Sequence, residues 1–202
     1  NMSLAQYFLV FLAALVGGSY GTVFGGGSFM TLPVLFISGI DPRIAVGTNR
    51  FGTVGMTLSS FSVYHKNKHI HWATAKILIP FYLAGTIIGA FLLGKIDGEW
   101  IKRMVSWMIL VLAFFDLFFY KKTLIHENAK PSFVKQVSGS VVMMFIGTYS
   151  MIISASAGTM LVLTLIHLFG LNAKNAISTR PGITLMGNIV GAALVIYQGF
   201  VD

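Results

Sequence analysis

Two apolar stretches of this chain are too long to cross a bilayer as single straight helices. The first stretch, from Ser3 to Ser38, contains 36 residues. As one helix it would extend for about 54 Å, whereas the hydrocarbon core of a bilayer is about 30 Å thick. The second stretch runs from Val134 to Phe169. Each stretch must therefore break or fold back within the membrane, where irregular backbone is tolerated only if it is buried in protein or lines a cavity.

Four further apolar stretches have the length of one membrane-spanning helix: Arg43 to Tyr64, Trp72 to Leu93, Trp100 to Tyr120 and Ala173 to Gln198. Hydrophobic residues make up 55% of the chain and charged residues only 10%, which is outside the usual range of soluble domains. The alternation of polar and apolar residues that is typical of membrane barrels is absent. We therefore predict an all-α fold, a polytopic transmembrane helical bundle, with multi-pass localisation in the cell (plasma) membrane.

The net charge of +8 is explained by the positions of the basic residues. Lysines concentrate in the loops 65–71 and 121–135, and lysine-rich short loops are typical of the cytoplasmic face. The turn between these loops also contains Asp97 and Glu99, so we predict that it faces outside. If each long stretch crosses the membrane once, the N-terminus is cytoplasmic as well, and we favour this arrangement. The lipid bilayer is the predicted partner, and no nucleic acid is expected to bind.

Three consecutive glycines, Gly25 to Gly27, interrupt the first long stretch. Glycine is a poor helix former and tolerates backbone conformations that other residues do not, so a break is expected here. A short helix that starts near Ser28 would present free N–H groups and the positive end of its dipole, which together attract anions. Ser28, and Thr159 in the second long stretch, would then be N-caps or direct ligands. The alternative interpretation is a patch of small residues for close helix packing.

The same organisation recurs 131 residues later. The segment GGSFMTLPVLFISGIDPRIAVGTNRFGT, which starts at Gly26, aligns without a gap with AGTMLVLTLIHLFGLNAKNAISTRPGIT, which starts at Ala157. We therefore predict an internal repeat with two broken helices, with a first copy over 1–120 broken near 25–27 and a second over 121–202 broken near 154–158. The first copy has about four spans, so the second is expected to lack its last helical pair.

Two arginines lie inside predicted spans at nearly equivalent positions of the two copies, Arg50 and Arg180. Each would cost about 2.5 to 3.5 kcal/mol in the centre of a membrane. The arginines could snorkel or pair with carbonyl groups freed by the helix breaks. They could instead face a wet cavity in which the transported anion is the counter-charge, because the guanidinium fork matches oxyanions. Asp116 could relay protons in coupled transport or pair with the neighbouring Lys121 or Lys122.

The glycine cluster is followed by GIDPRIAVGTNR at 39–50, by YHKNKHIHW at 64–72 and by a span that contains Gly85 and Gly89. This order of motifs, with its partial repetition, resembles the sulfite exporter TauE/SafE family of membrane transporters over essentially the whole chain. The resemblance implies two related halves and transport of sulfite or another small sulfur-containing anion. The second half departs from the pattern, because ISASAG at 153–158 replaces the expected glycine cluster, and this affects the expected substrate more than the fold.

We predict a transporter, an exporter by the resemblance, that binds a small anion near the membrane midplane between two helix N-termini and two arginines. The predicted substrate-binding residues are Gly26, Gly27, Ser28, Thr48, Asn49, Arg50, Gly158, Thr159, Thr179 and Arg180, with Asp116 as a candidate coupling residue. A passive anion channel and a carrier for a different small organic anion are the alternatives.

Other classes of function have little support in the sequence. No nucleophile elbow, zinc-protease motif or pair of buried carboxylates is found, so an enzyme is not predicted. The chain has no cysteine, and His65, His69 and His71 lie among lysines, which favours a solvated loop over a metal site. No cofactor or metal is predicted, and the sequence does not indicate an oligomeric state.

Overall fold

The computed structural model of the chain describes residues 3–24, 27–119 and 132–201. These residues form eight α-helices and no strand, which confirms the all-α prediction. The helices are α1 (Leu4–Phe24), α2 (Ser28–Ile37), α3 (Pro42–Lys66), α4 (Trp72–Lys95), α5 (Gly98–Phe119), α6 (Phe133–Ile152), α7 (Ala157–His167) and α8 (Ala173–Tyr197). By length and composition, α1, α4 and α8 are apolar enough to cross a membrane.

Three of the long helices begin at side-chain caps. Asp41 accepts a hydrogen bond from the N–H of Arg43 at 2.8 Å, and Pro42 occupies the first helical position of α3. Ser132 and Asn172 cap α6 and α8 in the same way. The short helices α2 and α7 begin without a side-chain cap. Their first N–H groups, which no helix satisfies internally, are therefore left to other partners.

Each short helix runs back along the long helix that precedes it. Gly17 of α1 faces Gly27 and Met30, and Gly139 of α6 faces Phe169, which follows α7. In a continuous helix Gly17 and Met30 would lie about 20 Å apart, so α1–α2 and α6–α7 are hairpins. The prediction that each long stretch crosses the membrane once is therefore wrong.

The reversal between α6 and α7 has a local cause in the backbone. Ser154 and Ser156 both adopt left-handed conformations, with φ of 63° and 58°. Such residues cannot continue a right-handed helix, and they redirect the chain within four positions. The corresponding turn of the first hairpin includes Gly25 and Gly26, which lie outside the described residues.

Contacts between helix ends show which turns lie on the same side of the bundle. Arg43 donates through Nε to the carbonyl oxygen of Ile96 at 2.9 Å, which places the α2–α3 and α4–α5 turns together. At the other side, the N–H of His71 donates to Thr179 Oγ1 at 2.9 Å. The 65–71 loop and the start of α8 therefore lie together. Because α1 and α2 form a hairpin, the N-terminus lies opposite the 65–71 loop, and the prediction that both are cytoplasmic is wrong.

Close backbone packing fixes the central helices. Gly85 and Gly89 of α4 lie against the backbone of α6, and Gly147 of α6 lies against the backbone of α4. These two helices run parallel, since the contacts advance in the same direction along both. In contrast, α3 and α8 run antiparallel, because Gly47 near the start of α3 packs on Phe200 beyond the end of α8. The division of the chain into two repeats stays a prediction.

Two buried apolar clusters hold the ends of the bundle. One cluster lies toward the starts of α4 and α8 and includes Leu78 and Leu161. The other lies toward the ends of the same helices and includes Leu93 and Val195. The long helices are therefore anchored at both sides of the bundle, while their middle turns carry the polar side chains described next.

Candidate functional site

A cavity of about 380 Å³ lies among α1, α2, α3, α4, α6, α7 and α8. A water molecule occupies about 30 Å³ in the liquid, so the cavity has room for a small anion together with several waters. Most of its wall is apolar, formed by glycines and by side chains such as Val10, Ala14 and Leu35. Within the described part of the chain, two arginines line the cavity and no aspartate or glutamate does.

Arg50 of α3 is held by two neighbouring helices. Its side chain is only 2% exposed. Nη1 donates to Asn188 Oδ1 of α8 at 2.9 Å, and Nη2 donates to the carbonyl oxygen of Ser150 in the last turn of α6. The partners are themselves held, because Asn188 Nδ2 donates to Thr57 Oγ1 at 2.8 Å and the Tyr82 hydroxyl hydrogen-bonds Ser150 Oγ at 2.9 Å. Arg50 Nε is buried and finds no partner among the residues that the structure describes.

Arg180 of α8 binds the end of α1. Its side chain is 5% exposed, and Nη2 donates to the carbonyl oxygens of Gly21 at 3.0 Å and Thr22 at 2.6 Å. These carbonyls belong to the last turn of α1. Arg180 Nη1 is buried and has no partner within the part of the chain that the structure describes.

The two arginines thus form a crossed arrangement. Arg50 binds the C-terminal turn of α6, and Arg180 binds the C-terminal turn of α1. A helix C-terminus carries about −0.5 charge and an N-terminus about +0.5, so the ends of α1 and α6 are cancelled by the starts of α2 and α7. Among the described residues of the cavity wall, the two guanidinium charges remain as the net charge. The arginines bind carbonyl groups, as the first sequence-based account expects, and they also line the cavity. That an anion is their counter-charge stays a prediction.

A second polar chain connects the start of α2 with the turn before α7. The Thr31 hydroxyl donates to Asn49 Oδ1, Asn49 Nδ2 donates to Ser28 Oγ at 2.9 Å, and Ser28 Oγ donates to Ser154 Oγ at 3.1 Å. Ser28 is the first helical residue of α2 rather than its N-cap, which is Gly27. The predicted N-cap role of Ser28 is therefore wrong, because its hydroxyl bridges two other side chains.

The structure brings most of the predicted binding residues to one cavity. Those that line it are Gly27, Ser28, Thr48, Asn49, Arg50, Gly158 and Arg180. Gly26 lies outside the described residues, and Asp116 lies in α5 with its side chain outside the described part.

Two predicted residues lie elsewhere. Thr179 is fully buried away from the cavity, where its hydroxyl accepts from the N–H of His71, so its role is to fix the 65–71 loop. Thr159 is also absent from the cavity wall. Because α7 begins at Ala157 with Ser156 as its N-cap, the predicted N-cap role of Thr159 is wrong.

The sequence interpretation missed nine polar residues of the cavity wall. They are Thr31, Thr53, Thr57, Ser60, Tyr82, Ser150, Ser154, Thr184 and Asn188. A signal for Asn188 was available, because an amide within an apolar span is unusual and Asn188 stands 131 positions after Thr57, the offset of the predicted repeat. Ser150 and Tyr82 carried no comparable signal, since isolated hydroxyls are common in membrane helices.

The histidines of the 65–71 loop make local contacts. The His65 ring stacks on Phe61 with centroids 5.3 Å apart and meets the edge of Trp72. His71 Nδ1 lies 2.9 Å from Thr74 Oγ1. Among the residues that the structure describes, no group of three histidine, cysteine or acidic side chains is placed to hold a metal.

Comparison with known proteins places the chain among membrane transporters. The family model described as "Sulfite exporter TauE/SafE" matches residues 10–202. A "Probable membrane transporter protein" of Haemophilus influenzae is 25% identical over 191 residues, covering 95% of this chain and 74% of that protein. The "Probable membrane transporter protein YfcA" of Escherichia coli is 22% identical over 191 residues, covering 95% and 70%. A relative from a Sinorhizobium species is 24% identical over 197 residues, covering 95% and 73%. No solved structure matches the chain significantly.

Proposed function

Because this chain belongs to the sulfite exporter TauE/SafE family of membrane transporters, we propose that it exports a small sulfur-containing anion such as sulfite or a sulfonate. The anion binds in the central cavity between Arg50 and Arg180. The observation that supports the proposal most strongly is the pair of buried guanidiniums, each with an unpartnered nitrogen, in a cavity whose described lining has no carboxylate.

The electrostatic argument follows from the low dielectric of the site. A buried charge without a counter-charge is unfavourable by several kcal/mol, and carbonyl groups offset only part of this. A bound anion supplies the missing charge and accepts hydrogen bonds from Arg50 Nε and Arg180 Nη1, the two nitrogens that lack partners. Charge-assisted hydrogen bonds of this kind are roughly twice as strong as neutral ones.

The starts of α2 and α7 add further donors to the same site. Gly27, Ser28 and Gly158 line the cavity at these helix ends, and neither helix has a side-chain cap. An oxyanion with three oxygens can accept from two arginines and from helix N–H groups at the same time. The apolar wall formed by Val10 and Leu35 leaves room for the carbon part of a short sulfonate.

The proposal is tested with the purified protein reconstituted in liposomes. Sulfite, a short alkyl sulfonate, thiosulfate, sulfate and acetate are compared with a neutral osmolyte, both for stabilisation against heat and for flux. We expect one or more of the sulfur-containing anions to stabilise the protein and to move with a rate that saturates. If all the solutes stabilise the protein and move across the membrane equally, the site does not select its ligand by charge. Ohmic current without saturation would instead favour the passive channel.

A further inference from the structure

Arg50 and Arg180 differ in how firmly they are held. Arg50 has acceptors on α6 and α8, and both acceptors belong to buried residues that are fixed by a second hydrogen bond. Arg180 has two acceptors, both in one turn of α1, and its Nη1 has no partner among the described residues. Arg180 Nη1 carries two N–H groups, whereas the unpartnered Nε of Arg50 carries one, so more donors are available to a ligand on Arg180.

The helix that Arg180 binds is the most loosely packed of the three apolar spans. Only 11% of the apolar, membrane-length segment of α1 is buried within the protein, compared with 39% of the corresponding segment of α4 and 61% of that of α8. On its inner side α1 packs closely on α2 through Gly17 and Gly21 against Gly27, so the α1–α2 hairpin is one tight unit. The partners of Arg50 lie instead on α6 and α8, which pack closely against α4 through Gly85, Gly89 and Gly187.

We propose that Arg180 is the mobile anion-binding arginine and that anion binding releases α1, whereas Arg50 is a fixed tie. This inference rests on the proposed function and names the residue that couples binding to movement. The bound anion competes with the Gly21 and Thr22 carbonyls for the Arg180 guanidinium. When the guanidinium turns to the anion, the last turn of α1 loses its link to α8, and the α1–α2 hairpin is free to move and open the cavity.

The test uses the absence of cysteine from the chain, which allows pairs of labels to be placed without background. Spin labels at Val16→Cys on α1 and Ile189→Cys on α8 report the distance between these helices, and both positions are exposed at the lipid-facing surface. The matched control pair is Phe145→Cys on α6 with Ile189→Cys on α8. Distances and binding are measured in liposomes against a titration of sodium sulfite.

We expect sulfite to shift the α1–α8 distance distribution with the same midpoint as binding, and to leave the α6–α8 distance unchanged. Arg180→Gln should weaken sulfite binding by at least about tenfold, as expected for loss of a charged hydrogen bond, and should remove the sulfite response of the α1–α8 pair. Arg180→Lys should retain part of the affinity, because it keeps the charge without the fork.

Three results would overturn the inference. If sulfite binds but the α1–α8 distance does not change, α1 is not released, although the proposed function stands. If Arg180→Gln binds sulfite as tightly as the parent, Arg180 is a structural tie only. The distance measurement is made with the native Arg180. It therefore tests whether sulfite releases α1 even if the Arg180→Gln variant does not fold. Failure of sulfite to bind at all would overturn both the inference and the proposed substrate.

Discussion

At the scale of single residues, Asn188 of α8 holds two side chains of α3 that lie 138 and 131 positions before it in the sequence. Its Oδ1 accepts from Arg50 and its Nδ2 donates to Thr57. The Asn188→Asp change keeps the shape and the bond to Arg50 but adds a negative charge beside the cavity. We expect this variant to fold with an unchanged or higher melting temperature and to lose sulfite binding, because the anion would meet a carboxylate already paired with Arg50.

The matched control for this change is Asn175→Asp on the same helix. Asn175 lies outside the cavity, near the start of α8, where a carboxylate is favourable. This variant should bind sulfite like the parent. If both aspartate variants bind sulfite equally well, a negative charge at position 188 does not affect anion binding in the cavity.

The two arginines should also differ in their contribution to stability. Arg50→Gln leaves the buried Ser150 carbonyl and Asn188 amide without a donor, and we expect a loss of about 1 to 3 kcal/mol. Arg180→Gln should be milder, because Thr22 is only half-buried and cavity water can reach its carbonyl. Thermal unfolding of the two variants in the same detergent provides the comparison. A larger loss in Arg180→Gln would reverse this ranking.

The sequence identified the two arginines because charges inside apolar spans are conspicuous on their own. It did not identify Ser150, Tyr82 and Asn188 as the hydrogen-bonding residues around Arg50. The hydrogen bonds that connect them join positions many tens of residues apart in the sequence. Thr179 was misplaced for a related reason. The repeated spacing of Ala45 and Thr48 in Ala176 and Thr179 does not show which face of the helix carries the threonine, and in α8 that face packs against the 65–71 loop.

At the scale of helices, Gly85 is the clearest case of a position that requires glycine. A Cβ there would overlap the Met144 carbonyl oxygen of α6. We expect Gly85→Ala to separate α4 from α6 and to destabilise the protein by about 1 to 3 kcal/mol, the usual effect of overpacking. The change also disturbs Tyr82 and Ser150, which lie on these helices, so anion binding should weaken with it.

Gly55→Ala is the matched control for the helix change. Gly55 lies within α3, and a Cβ at this position meets nothing within 4 Å. Alanine is the better helix former by up to about 1 kcal/mol, so this variant should unfold at an equal or slightly higher temperature. Equal destabilisation of the two variants would show that the α4–α6 contact is not tight.

The sequence predicted which stretches are helical, but it did not predict their direction after a break. Length alone showed that Ser3 to Ser38 cannot be one straight helix. A single kinked crossing and a hairpin have the same composition and length. Only the packing of Gly17 against Gly27 distinguishes the two arrangements. The distribution of lysines among the loops favoured the single crossing. This distribution says little about the first stretch, because few charged residues flank α1.

At the scale of the whole molecule, the hairpins determine the membrane topology. With the lysine-rich 65–71 loop in the cytoplasm, the N-terminus and the α4–α5 turn face outside. Single cysteines at Ser3 and at Glu99 should therefore react with a membrane-impermeant reagent added outside intact cells. A cysteine at Asn67 should react only after the cytoplasmic face is opened.

The absence of native cysteine makes each of these labels specific. Labelling of Ser3→Cys and Asn67→Cys from the same face would contradict the α1–α2 hairpin in the membrane. Labelling of Glu99→Cys and Asn67→Cys from one face would contradict the crossing by α4, which has the length and apolar composition of a membrane span.

The hydrogen bond between Thr57 and Asn188 joins two positions that the predicted repeat makes equivalent. If the predicted repeat is real, a position that touches its own equivalent lies on a rotation axis, and the antiparallel α3 and α8 would place that axis in the plane of the membrane. A half-turn about it would exchange the two faces of the bilayer. Under the predicted repeat, the outward-facing and inward-facing shapes would then be images of one another with nearly equal free energies. The protein would impose no direction of its own, and net movement would follow the gradients of the anion and of any ion that travels with it.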